Sequence, residues 1–141
     1  MGFNFDRTFV PPFPRLPVTM TLPENGMRSP TFSGLVDTGA DATLIPAQRL
    51  RELNANEIYT ARLRSHWGEP RTVSVYLVDL EVAGHTLPSI EVIADDLATD
   101  VLLGRNALNR LILLLDGPAG EADVLLNRPR QRSTPEITHK S

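Results

Sequence analysis

A chain of 141 residues, 41% of them hydrophobic, has room for one packed domain and not two. Its net charge of −3 excludes a global basic field, so neither nucleic acid nor a membrane surface is expected as a partner. The lack of cysteine excludes disulfides, thiolate metal sites and a cysteine nucleophile.

The first segment, 1–17, is rich in proline and reads as an extended arm. It has no basic start followed by an apolar run, so no secretory leader is expected. The longest apolar run, 111–115, is far short of a membrane span, and a soluble, cytoplasmic protein is the expectation. Strands are predicted over 18–22 and 31–37, with the turn-forming "PENGMRSP" between them. The stretch 47–54 can form a short helix. Apolar and polar residues alternate over 71–84, the clearest strand signal in the chain. Ala83-Gly84 reads as a hairpin turn into a second strand over 85–94. A short strand over 100–104, a short helix over 105–111 and strands over 111–116 and 122–126 complete the pattern. The tail, 128–141, is polar with two prolines and is expected to be disordered. The folded domain is thus expected over 18–127. Many short strands with little helix indicate an all-β barrel or sandwich.

One stretch asks for more than a strand and a turn. In "SGLVDTGADATLIP", 33–46, an apolar strand runs into Asp37-Thr38-Gly39 and the chain then returns at once to apolar residues. Asp, Thr and Gly are common turn formers, so a plain turn is one reading. A second segment bears on the choice: "VLLGRNAL", 101–108, places a glycine after two leucines and opens a helix with Arg105-Asn106. Asp37-Thr38-Gly39-Ala40-Asp41 followed by Leu102-Leu103-Gly104-Arg105-Asn106 resembles the retropepsins, the retroviral-type, single-domain aspartic proteases. The resemblance covers roughly 13–112, including "PRLPVTMTL" as the first strand with its arginine.

The resemblance implies a closed, mostly antiparallel β-barrel with one short C-terminal helix. It implies an aspartic endopeptidase that hydrolyses peptide bonds without metal or cofactor. The chemistry uses two carboxylates sharing a proton, one activating water and the other acting as acid. The chain has one Asp-Thr-Gly, hence half a pair, and a homodimer with a two-fold axis between two copies of Asp37 would supply the rest. Asp37 is then catalytic, and Thr38 and Gly39 shape the active-site loop. Ala40, Asp41, Trp67 and Gly68 fall on substrate-binding positions, with a peptide or protein as substrate. Gly104 and Arg105 support the loop, Arg105 by pairing with Asp41, and Arg15 reaches the partner's copy of Asp41. The family closes its cleft with a glycine-rich flap, whereas 59–75 contains only Gly68. The family also builds its dimer sheet from terminal strands; the polar, proline-rich ends here suggest a different interface. The alternative is a peptide-binding or scaffold module that keeps the fold without hydrolysis. His66, His85 and His139 show no metal-ligand spacing, and no metal site is expected.

Overall fold

Period-two alternation becomes the longest strands of the computed structural model, which describes residues 2–63 and 69–130. The elements, in order, are β1 (Phe3–Asn4), β2 (Arg15–Thr21), β3 (Phe32–Val36), β4 (Thr43–Pro46), α1 (Ala47–Glu52), β5 (Tyr59–Leu63), β6 (Arg71–Val82), β7 (His85–Asp95), β8 (Val101–Leu103), α2 (Arg105–Leu108), β9 (Ile112–Asp116) and β10 (Glu121–Leu125). Both helix candidates form, each of barely one turn or two. β4 and β5 are strands that the sequence pattern did not single out.

The barrel closes through the order β2-β3-β8-β4-β7-β6, with β6 returning to β2. Four of its contacts are antiparallel, namely β2–β3, β2–β6, β4–β8 and β6–β7. Two, β3–β8 and β4–β7, are parallel. This is the closed, mostly antiparallel barrel that the resemblance implied. Closure leaves these six strands without a free edge. β5 extends the sheet beyond β6 as the second arm of a hairpin.

Strand phase decides what lies inside. On β2, Leu16, Val18 and Met20 are sealed from solvent. On β6 the buried residues are Val73 and Val75, then Val78, Leu80 and Val82. The phase on β6 thus changes between Val75 and Val78, and on β7 the buried positions pass from Leu87 to Ile90 and Val92 across a bulge, since the step from Val78 to Leu80 faces the three-residue step from Ile90 to Leu87. Burying each such aliphatic side chain contributes about 1.5–3 kcal/mol. The β6–β7 hairpin turns on Ala83 and Gly84, with φ of 49° and 84°. Both residues are left-handed, as a two-residue turn matching the strand twist requires.

The first strand and the last two described strands form a separate small sheet, β1-β10-β9. Within it Phe3 faces Ala122, and Ala122 faces Leu115. The proline-rich segment therefore includes β1 and the start of β2. Between them, Asp6 and Phe13 exchange backbone hydrogen bonds of 2.7 and 3.0 Å. Ala122 and Val124 belong to the main core, which ties this sheet to the barrel. Among the described residues no helix is long and apolar enough to cross a membrane.

Candidate active site

β3 lies in the barrel wall between β2 and β8, and its last three residues, Gly34, Leu35 and Val36, are buried. Its partner β8 is parallel to it, with Val36 opposite Leu103. Both strands therefore end at the same rim. There the Asp37 amide donates to the Leu103 carbonyl at 3.0 Å, extending the pairing by one residue. The chain then turns. Gly39 donates its amide to Asp37 Oδ1 at 2.9 Å, and Ala40 donates to the Asp37 carbonyl at 3.2 Å. The turn reading of Asp-Thr-Gly is correct locally, but the turn uses only one carboxylate oxygen. Asp37 Oδ2 has no hydrogen bond among the described residues. A Cβ on Gly39 would stand 3.1 Å from Asp37 Oδ1, so a side chain there would press on the carboxylate.

Asp37 is half-buried, while Thr38, Gly39 and Asp41 are exposed. A rim carboxylate on a rigid strand end, with an exposed loop around it, can meet a second surface without moving the barrel.

Three devices fix that loop from behind. First, Gly104 passes so close to Ala42 that a Cβ would overlap the Ala42 carbonyl. Only glycine permits this approach. Second, Arg105 binds the loop twice: its amide donates to the Ala40 carbonyl at 2.8 Å and its Nη1 to the Thr38 carbonyl at 2.9 Å. Third, Thr43 is fully buried and its hydroxyl works in both directions. It accepts from the Gly104 amide at 3.2 Å and donates to Asn106 Oδ1 at 2.7 Å. Asn106 Nδ2 in turn donates to the Glu91 carbonyl at 2.8 Å, linking α2 to β7.

The expected Asp41–Arg105 pair is not formed. The guanidinium goes to the Thr38 carbonyl instead, and among the described residues no ion pair reaches Asp41. Asp41 is exposed, so water solvates its carboxylate without a partner. Arg105 still supports the loop, through its backbone. Arg15 donates Nε to the Asn4 carbonyl at 3.0 Å, holding the arm against the barrel. Ala40 is half-buried in the loop itself. Trp67 and Gly68 lie outside the described residues. Thr43 and the bonds of Asn106 were missed from sequence. The available signal was Thr43's place on the inward phase of "ATLIP", two residues before Ile45, where a hydroxyl needs a partner.

One hydrogen bond ties β5, the outer strand of the β5–β6 hairpin, to this framework. Tyr59 donates its hydroxyl to Glu91 Oε2 at 2.6 Å, and that bond holds the phenol above its usual pKa. Glu91 thereby meets both Tyr59 and, through its carbonyl, Asn106.

Among solved structures the chain is similar to the foamy viral protease–reverse transcriptase in complex with an RNA/DNA hybrid, at 23% identity and a TM-score of 0.51. That match covers 70% of this chain and only 12% of the viral one. The solution structure of simian foamy virus (mac) protease matches at 21% identity and a TM-score of 0.49, over 67% of this chain and 91% of that one. The first likeness speaks for the fold. No curated protein sequence matches the chain. A family model described as "gag-polyprotein putative aspartyl protease" matches residues 26–110, more than half of the chain. Those residues contain Asp37-Thr38-Gly39 and Gly104-Arg105-Asn106, the two segments that build the rim. The chain belongs to this gag-polyprotein aspartyl protease family.

Proposed function

We propose that the chain is an aspartic endopeptidase active as a homodimer, in which two Asp37 carboxylates meet across a two-fold axis. The observation that carries this reading is the state of Asp37. It stands on a rigid strand end in a braced loop, with Oδ1 held by Gly39 and Oδ2 uncommitted among the described residues. One carboxylate cannot both activate water and protonate the carbonyl oxygen. Two at close range share a proton, because both cannot ionise together. The ionised one takes a proton from water as it attacks the peptide carbon, and the protonated one donates to the carbonyl oxygen. As the C–N bond of the resulting diol breaks, the carboxyl that took the proton from water gives it to the departing amine, and a diol hydroxyl returns a proton to the other carboxylate.

Thr38 and Gly39, exposed beside Asp37, face the partner loop and the substrate. Exposed Asp41 and the half-buried Ala40 meet the substrate backbone, and Arg15 meets the partner's loop. The substrate is an extended peptide or an unfolded protein segment. Incubation with a denatured, sequence-diverse protein mixture across pH 3–7 tests the activity. Cleavage should pass through an acidic optimum, since the pair works singly protonated. A statine-type transition-state mimic should block it, and Asp37→Asn should abolish it without loss of fold. Turnover in Asp37→Asn at the wild-type rate would remove the mechanism and favour a contaminant.

A further inference from the structure

We propose that the cavity between α1 and the first half of β6 is an oxyanion site that takes a phosphate group, held by Arg51 and a row of hydroxyls on β6. It is separate from the Asp37 rim: neither the loop 37–41 nor any residue that braces it lines this cavity.

Strand and helix periods bring the site together. Thr72, Ser74 and Tyr76 are alternate residues of β6 and share one face of the strand. Ala47 and Arg51 are four apart on α1 and share one face of the helix. All five line a cavity of about 250 Å³, together with Arg71 and Asp96.

The lining is rich in donors and poor in acceptors. Among the described residues, the hydroxyls of Thr72, Ser74 and Tyr76 have no hydrogen-bond partner. Arg51 is loosely committed: Nη2 reaches Gln48 Oε1 at 3.3 Å, and Nη1 stands 3.6 Å from Asp96 Oδ1. The Asp96 side chain is 81% exposed, and an ion pair this open contributes little. Positive charge exceeds negative around the cavity. Arg71 answers Asp95 at 3.3 Å and Arg51 answers Asp96. Arg62 stands opposite Thr72 on β5, on the same face, with no ion pair among the described residues.

This donor set selects the ligand. A guanidinium beside hydroxyls matches the several acceptor oxygens of a phosphate. A neutral ligand would leave the guanidinium unanswered, and a cation would be repelled by it. In the free protein the exposed Asp96 carboxylate takes the anion's place beside Arg51, and a bound phosphate displaces it. The free ion and a phosphorylated side chain present the same oxygens, so the test separates them.

Sodium phosphate is titrated into the full chain near neutral pH, where phosphate is largely dianionic, with chloride holding the ionic strength constant. Amide chemical shifts and heat are recorded. The titration is repeated with a phosphoserine peptide and with its unphosphorylated form. Saturable shifts should centre on residues 47–51 and 72–76. Arg51→Gln should weaken binding about tenfold or more. Asp96→Asn removes the competing carboxylate and should tighten it. Arg130→Gln, the same loss of charge away from the cavity, should leave affinity unchanged. Melting temperatures without phosphate confirm that each variant keeps the fold. Tighter binding of the phosphopeptide than of free phosphate assigns the site to a modified protein, and the reverse order assigns it to the small ion. No saturation, shifts centred elsewhere, equal binding of the unphosphorylated peptide, or the same affinity in every variant overturns the site.

Discussion

Asp37, Gly104 and Thr43 show how single residues carry the site, each by a different physical route. Asp37 supplies the charge, and Asp37→Asn should abolish cleavage while the melting temperature stays close to wild type, because Gly39 can still donate to the amide oxygen. Gly104 supplies space. Gly104→Ala drives a methyl group into the Ala42 carbonyl, and backbone cannot step aside as a side chain can. The cost should reach the upper end of about 1–3 kcal/mol, or exceed it, in chemical denaturation. Thr43 supplies a buried hydroxyl. Thr43→Val has almost the same shape but leaves the Gly104 amide and Asn106 Oδ1 without their partner. A loss of roughly 1–3 kcal/mol is expected. Thr43→Ser, which restores the hydroxyl, should recover much of it. Equal stability of the valine variant would mean that the bonds contribute nothing.

Elements differ in how plainly they can be read from sequence. β6 was legible because it alternates and β7 because a hairpin turn precedes it, and even the bulge of β7 has a trace: its apolar positions pass from 87 to 90 and 92. β3 and β8 were legible as short apolar runs ending in glycine-containing turns. β1 was not, because two residues carry no period and its pairing with β10 spans nearly the whole chain. β4 was hidden inside a motif read for its chemistry. The loop braces were partly legible: Arg105 belongs at the loop, but the resemblance pairs it with Asp41, whereas its guanidinium donates to the Thr38 carbonyl, an acceptor that a backbone turn supplies without any trace in residue type. Two predictions belong at this scale. Ala83 sits at φ 49°, where a β-carbon is strained. Ala83→Gly or Ala83→Asn should stabilise the β6–β7 hairpin by about 0.5–1 kcal/mol, read as a higher melting temperature. Tyr59 ties β5 to β7, and its pKa is raised from 10.0 by the bond to Glu91. A raised pKa in the fold means a contribution present below the unfolded value and lost as pH climbs through the folded one. The stability difference between wild type and Tyr59→Phe should thus be constant below about pH 10 and shrink above it. A difference that grows with alkalinity would reverse the assignment.

For the whole molecule, the closed barrel explains why the rim can be both exposed and rigid. Six strands without a free edge leave β5 and the terminal sheet as the places, among the described residues, where a strand edge stays open. The central claim is that the active site exists only between two chains, and mixing wild type with an equal amount of Asp37→Asn tests it most directly. Subunit exchange is first demonstrated with differently tagged chains. Random pairing then leaves about a quarter of dimers with two ionisable copies of Asp37. Total activity should be about a quarter of that given by the same amount of wild type. A value near one half, with exchange complete, would mean that each chain carries a whole site and would contradict the shared pair.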